Sequence, residues 1–294
     1  MRILVCSDGT EAADNAIRIG ALLAAPMNAE ITLLGIAEKT RDEPVLREAL
    51  EKQARPLREQ HLTPEIIFRV GEPVRQILNQ TSKAHYDLVV IGSRQRDATG
   101  PYWRSERTYE VIKAIQPPVL VAIGERDRLK HFLVCTGGKE FVDEAVQLTG
   151  KLAAAAGASV TLLHVMAEPP VMYADLVRLE EDVDRLLESR SELGVNLGRQ
   201  KKHLERIGVP TEVRLRHGIV LDQVFAEVRR GDYDLIVTGS SQARGLLQHY
   251  IMGDVTRSIL NLATCPVLVT RAGKVGEGRS LWRSLAPLFG RGQK

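Results

Sequence analysis

The 294-residue chain is short of aromatic side chains, at 4% of its residues, and it holds three cysteines, no long apolar run and no excess of one charge. Each shortage excludes something. Cys6, Cys135 and Cys265 are few and widely spaced, which excludes a disulfide framework or a zinc ribbon. No apolar stretch approaches the roughly 18 residues that a membrane span requires. Forty basic residues face 37 acidic ones, and a net charge of +3 is too small to favour a nucleic-acid partner. The seven histidines lack metal-ligand spacing, and no Ser-His-Asp or Cys-His set can be assembled along the chain, so neither a metal nor a catalytic residue is assigned. The first residues run straight into an apolar segment, Ile3-Leu4-Val5-Cys6, without the pattern of a signal peptide, and a cytoplasmic location is expected. What the chain does have is core: 44% hydrophobic against 26% charged residues suits a globular protein of two ordinary domains.

A repeat organises those domains. Ile3-Leu4-Val5-Cys6-Ser7-Asp8-Gly9 returns as Phe132-Leu133-Val134-Cys135-Thr136-Gly137-Gly138, and Ile31-Thr32-Leu33-Leu34 returns as Val160-Thr161-Leu162-Leu163, both at an offset of 129. Arg69-Val70-Gly71 then matches Arg216-His217-Gly218, and Tyr86-Asp87-Leu88 matches Tyr233-Asp234-Leu235, at an offset of 147. The difference of 18 places one insertion after the second strand of the second half. Pro118-Val119-Leu120-Val121 matches Pro266-Val267-Leu268-Val269 at 148, so one more residue enters near 243–252. Matches in one order over both halves mean a duplication.

Each half alternates short apolar runs with longer segments of helical period, the signal of a parallel sheet wound with helices. The first half predicts strands at 2–7, 30–36, 65–70, 87–92 and 119–123, with helices at 11–25, 43–61, 73–84 and 104–115. Thr10 reads as an N-cap and Pro73 as a first helical residue. The inserted stretch, 170–207, carries Leu176, Leu179, Val183, Leu186 and Leu187 at helical spacing and predicts a long surface helix broken at Gly194 or Gly198. The domains are 1–126 and 127–273, with Gly124 to Arg128 as linker and 274–294 as a tail. The tail places Leu281, Trp282, Leu285, Leu288 and Phe289 among basic neighbours, a pattern for membrane or partner contact that Pro287 interrupts; a mobile tail is the reading taken.

These motifs resemble the universal stress protein family: the Ile-Leu-Val-x-x-Asp-Gly opening, Thr32-Leu33-Leu34, the Asp87-Leu88-Val89-Val90 run ending in Gly92-Ser93, and the closing Cys265-Pro266-Val267-Leu268-Val269. The resemblance covers 1–123 and 130–271 and implies two Rossmann-like, five-stranded parallel sheets of strand order 3-2-1-4-5. It further implies that the last strands, 119–123 and 267–271, pair with each other as in family dimers, making an intramolecular pseudo-dimer, with a homodimer through edge strands also possible for the fold.

In family members that bind ATP, often with magnesium, an Asp in the first turn and the end of strand two hold the adenosine. A G-x-x-G loop, nine residues, then a glycine and a hydroxyl residue hold the phosphates. Carried over, the first half offers Asp8, Gly9 and Thr10, Ile36, Gly92, Gln95 and Ser105 at the second and third glycine positions, Glu106 at the hydroxyl position, and Arg107 beside it. The second half offers Gly137, Val165, Gly239, Gln242, Gly253 and Asp254. Both halves thus place a carboxylate where the family has a hydroxyl. Such a charge about 4 Å from a phosphate oxygen costs roughly 4 kcal/mol at an effective dielectric near 20, about a thousandfold in affinity.

Glu106 and Asp254 have two readings: carboxylates that occupy the anion site themselves, at a helix N-terminus that favours them, or first-turn acids facing solvent. Tyr102-Trp103-Arg104 reads as packing rather than base stacking, and Cys6 and Cys135 as inert buried thiols. The function expected is a non-enzymatic stress-response binding protein with degenerate phosphate loops. The alternative is an adenine-nucleotide sensor that uses Asp8, Ile36 and Gly92 of the first domain with ATP and magnesium, slow hydrolysis being conceivable only then.

Overall fold

The computed structural model describes residues 1–93, 106–137, 143–166, 183–242, 250–251 and 253–271. In the first domain β1 (Arg2–Ser7), β2 (Glu30–Ala37), β3 (Glu65–Val70), β4 (Leu88–Gly92) and β5 (Val119–Ala122) alternate with α1 (Glu11–Ala24), α2 (Glu43–Glu59), α3 (Pro73–Lys83) and α4 (Glu106–Ala114). The second domain repeats the order with β6 (His131–Cys135), α5 (Asp143–Ala156), β7 (Ser159–Met166), α6 (Val183–Glu188), α7 (Glu192–Arg206) and β8 (Thr211–His217). It finishes with α8 (Val220–Arg230), β9 (Leu235–Gln242), the short β10 (Tyr250–Ile251), α9 (Asp254–Leu262) and β11 (Val267–Arg271).

The strands form one sheet in the order β3-β2-β1-β4-β5-β11-β9-β6-β7-β8, with β10 paired to β9 outside that path. Each domain is therefore parallel and ordered 3-2-1-4-5, as expected, and the two join antiparallel through β5 and β11. Leu120 pairs with Leu268, its own counterpart in the repeat, flanked by Val121 with Val267 and Val119 with Val269. That register places a pseudo-two-fold axis at the leucine pair, the arrangement of an isologous dimer within one chain. The joint consumes both terminal edge strands, so pairing between chains would have to use β3 or β8.

Strands buried on both faces carry continuous apolar runs rather than alternation. Ile3, Val5, Leu33, Leu120, Phe132, Val134 and Leu268 fill one face, while Leu4, Leu34, Val89, Val121, Leu133, Ile236 and Val269 fill the other. Both cores cross the domain boundary, so the domains share them.

The repeated Tyr-Asp motif has a structural role that the sequence did not disclose. Asp87 accepts a hydrogen bond from the Arg2 backbone N–H at 2.8 Å. Asp234 accepts likewise from Lys130 and His131 at 2.7 and 3.1 Å. Each aspartate thus fastens the start of its domain's first strand. The linker is equally built in. Gly124 has φ +62°, and a Cβ there would lie 2.2 Å from the Thr264 carbonyl oxygen. The side chain of Asn15 donates to the carbonyls of Ala122 and Gly124 on the other side of that turn.

Arg271 ties the domains further. It is 6% exposed, and its guanidinium donates to the carbonyls of Ile112 and Ile115 at 2.6 and 2.8 Å and of Gln116 at 3.1 Å. These are carbonyls at and just beyond the end of α4, which a helix leaves without internal partners and where its dipole favours a cation. Nearby, Arg257 of α9 stacks over Tyr109 of α4 at 5.0 Å, and the Tyr109 hydroxyl donates to Asn261.

Two sequence expectations need correction. Thr10 stands before α1 in an extended conformation, but its side chain makes no cap bond; its hydroxyl donates to Asp8 instead. The helical break in 170–207 falls not at Gly194 or Gly198 but between α6 and α7, where Ser191 caps α7 by accepting from Gly194 N–H. Gly194 serves close packing, since a Cβ there would lie 2.1 Å from the Leu186 carbonyl oxygen. Leu176 and Leu179, Tyr102-Trp103-Arg104 and the tail lie outside the described residues.

Candidate functional site

The strand order reverses between β1 and β4, and again between β6 and β9, so each domain has a crevice at the carboxyl ends of those strands where open α/β sheets take ligands. In the first domain that edge is closely knit. Gly9 takes φ +79° to turn the chain out of β1, and a Cβ on it would lie 3.2 Å from both Ala49 Cβ and Leu46 Cδ1 of α2. Ser7 Oγ donates to Gln53 Oε1 at 2.7 Å and accepts from Gly9 N–H at 3.0 Å. The Gln53 amide donates in turn to Asp14 at 2.6 Å. Gln53 therefore staples α2 to the turn and to α1.

Asp8 is exposed on this turn, and one of its oxygens accepts from Thr10 N–H at 3.1 Å and from the Thr10 hydroxyl at 2.6 Å. Ile36 is buried at the end of β2. Arg107, in the first turn of α4, is ion-paired to Glu38 just past β2. That carboxylate raises the guanidinium's pKa, and Glu72 adds to the effect from farther off. Glu72 itself caps α3, accepting from the N–H groups of Val74 and Arg75 at 2.8 and 2.7 Å. Glu106 is exposed at the start of α4, and Gln95 and Ser105 lie outside the described residues.

The second domain has an open cleft of about 420 Å³ at the matching edge. Four of its sequence-assigned residues, Gly137, Val165, Gly239 and Gly253, line it together. Asp254 is exposed at the start of α9 and is not among the lining residues, and Gln242 ends β9. The floor is apolar, with Val134, Leu163, Val224 and Val237. Polar groups are mostly engaged with one another. Thr256 Oγ1 donates to the Gly239 carbonyl at 2.9 Å, and Thr270 Oγ1 to the Thr238 carbonyl at 3.1 Å. His164 Nδ1 lies 2.9 Å from the Thr136 carbonyl oxygen, which can only accept, so the proton sits on Nδ1.

The profile of the universal stress protein family matches residues 1–122 and again 128–271. The chain belongs to this family, as a tandem member. Universal stress protein Slr1230 of Synechocystis is 20% identical over 92% of this chain and 99% of its own length. Universal stress protein YxiE of Bacillus subtilis is 26% identical, covering 47% of this chain and 97% of its own. Among solved structures, a universal stress protein from Archaeoglobus fulgidus superposes with a TM-score of 0.69 at 19% identity, over 92% of this chain and 98% of that one. At that identity the likeness establishes the fold.

The described sequence-assigned residues lie at the carboxyl edge of each sheet, and several residues that shape that edge were not singled out in the sequence reading. Gln53, Glu38 and Glu72 were unremarked, although Gln53 has a buried counterpart, Gln200, at the same offset of 147, and that match was findable. His164, near the end of β7, lines the cleft. Cys6 and Cys265 are buried, whereas Cys135, read as buried, is half-buried and lines the cleft. Burial pushes Cys6 and Cys135 to about 12 and Cys265 to about 11. Among the described residues no cluster of three His, Cys, Asp or Glu side chains could hold a metal, and no helix is long and apolar enough to cross a membrane.

Proposed function

We propose that the protein is a non-enzymatic stress-response protein that works by binding and association, with phosphate loops degenerate in both halves. The observation carrying this reading is the pair of acids at the head of the loop helices. Glu106 and Asp254 stand exposed in the first turns of α4 and α9, where the family loop presents a hydroxyl. The nearest described cation in the first domain does not offset them, since Arg107 is paired with Glu38. The repulsion, roughly 4 kcal/mol at about 4 Å in an effective dielectric near 20, is large against the affinity of an ordinary nucleotide site. The action is expected in the cytoplasm, with self-association of the chain as a further part of it.

Isothermal titration with ATP of the protein and of a Gln95→Gly, Glu106→Ser double variant tests the reading. The variant should bind at least about tenfold tighter than the parent. Equal affinity would sink the idea that these residues disable the loop.

A second reading, an adenine-nucleotide sensor in the first domain, draws on Asp8, exposed at the reversal point, and on Ile36 and Gly92 beside it. ATP there would bring its own magnesium, and the protein would supply the Asp8 turn and the backbone of Gly92. Mass spectrometry of the protein as purified separates the two readings, because bound nucleotide at near-equal molar amount would favour the sensor.

A further inference from the structure

We propose that the cleft of the second domain is a binding site for a small uncharged ligand with an apolar, ring-sized body and one hydrogen-bond donor, and not for a nucleoside phosphate. The proposal stands on the cleft's own residues and holds whether or not the first domain takes a nucleotide.

The first support is the space. Gly137, Gly239 and Gly253 all line the cleft, and a Cβ built on any of them would meet nothing within 4 Å. None of the three has a positive φ. Neither backbone strain nor a close neighbour among the described residues requires glycine at these positions. What their missing side chains do is keep the volume open, and about 420 Å³ lies within the roughly 300–1,000 Å³ of small-molecule sites.

The second support is chemical contrast with the first domain. Asp8 of the first turn becomes Gly137 in the second domain, Glu72 becomes Ile219, and Arg107 becomes Val255. Ile219 is 69% exposed and Val255 36% exposed, and Val255 and Val220 line the cleft they flank. Charged groups at the mouth of one site are thus replaced by exposed aliphatic ones at the mouth of the other. Arg271, the charged residue among the described lining, spends its guanidinium on the carbonyls beyond α4. Among the described residues, an anion entering here would lose water and gain no cation.

The third support fixes the polar contact. With its proton on Nδ1 and given to Thr136, the neutral ring of His164 has Nε2 as an acceptor. A cleft of aliphatic walls with one imidazole acceptor suits a ring bearing a single N–H or O–H.

N-Phenylnaphthylamine is such a probe, neutral with one N–H, and anilinonaphthalene sulfonate is the same body with a charge. Fluorescence titration of the full chain should show the neutral probe binding at one site, about tenfold tighter than the sulfonate. Gly239→Leu, which fills the open space, should abolish binding, and Gly92→Leu in the first domain should not. Val255→Arg, an exposed change that restores the first domain's residue, should weaken the neutral probe about tenfold and keeps the test valid if Gly239→Leu fails to fold. His164→Phe should weaken it about fivefold. Equal or tighter binding of the sulfonate, binding untouched by both Gly239→Leu and Val255→Arg, or displacement by ATP as strong as by adenosine would each overturn the proposal. ATP binding without displacement bears on the first domain alone and leaves this site standing.

Discussion

The outer flank of the two domains shows what the duplication kept and what it exchanged. In the first domain Ile67 packs against the core on β3, and Gln80 of α3 donates to the Tyr86 hydroxyl at 2.9 Å. At the same places the second domain has Arg214, Glu227 and Tyr233. Glu227 is 0% exposed. It accepts from Arg214, from Arg216 at 2.7 Å and from the Tyr233 hydroxyl at 2.8 Å. Arg216 has a counterpart in Arg69, but with no ion pair to an acid among the described residues Arg69 donates to the Phe68 carbonyl. Where the first domain has a neutral pair, the second has a buried ionic cluster. The reason is physical: a buried carboxylate without partners is prohibitively costly, so Gln to Glu requires a cation beside it. Geometry was retained while the chemistry changed in compensated sets. The cleft mouths show the same pattern, with Glu72 and Arg107 exchanged together for Ile219 and Val255.

The comparison can be broken by undoing one member of a set. Glu227→Ala leaves Arg216 and the Tyr233 hydroxyl without their acceptor, while Arg214 keeps Glu212, and should destabilise the protein by about 1.5–3 kcal/mol in denaturant unfolding. Gln80→Ala in the first domain should cost about 1 kcal/mol. The cluster also carries a pH signature. Burial pushes the Glu227 carboxyl up, but Arg216, Tyr233 and Arg214 together outweigh it and hold the pKa below the ordinary value. A depressed carboxylate stabilises the fold above its unfolded pKa, near 4.3, and that contribution is lost as pH falls through the folded value. Between about pH 5 and the acid transition, Glu227→Gln should therefore flatten the stability curve. An unchanged curve would show that the cluster does not govern acid stability.

Arg271 has Ile123 as its counterpart, so Arg271→Ile makes the joint symmetric in sequence. It leaves carbonyls at the end of α4 without a donor and should cost about 2–3 kcal/mol, read as a lower midpoint in denaturant. Gly124→Ala tests the linker: a Cβ at positive φ against the Thr264 carbonyl should cost about 1–3 kcal/mol, seen as a drop in melting temperature. The smallest effect runs the other way. Ile219 precedes α8 without a side-chain cap bond, whereas Glu72 caps α3 with two. Ile219→Glu should raise stability by about 0.5–1 kcal/mol, and no gain in calorimetry would mean that the second turn cannot adopt the first one's cap.

Much of the frame was legible before any coordinates. The offsets of 129, 147 and 148 located the duplication, every strand of the first half lay within a residue or so of its observed bounds, and Pro73 opens α3 as read. Apolar runs and glycine turns are local signals, so they survive in one dimension. Thr10 holds the N-cap position as read, but its hydroxyl turns back to Asp8, two residues before it, and makes no cap bond. The described candidate residues lie at the carboxyl edge of each sheet, yet which half holds a described open cleft was not legible, because it depends on tertiary packing. The second domain's cleft brings Gly137, Val165, Gly239 and Gly253 together from separate stretches of the chain.

By itself the sequence determined the fold of each half and the family, because these rest on local periodicity and on an internal repeat. Only the tertiary structure decided the rest. It joined β5 to β11 about a leucine pair, buried Glu227 among its cations, spent Arg271 on another domain's helix and turned three glycines into a cavity. Each of these depends on residues far apart in the chain, whose meeting is set by packing and by the need to satisfy buried polar groups.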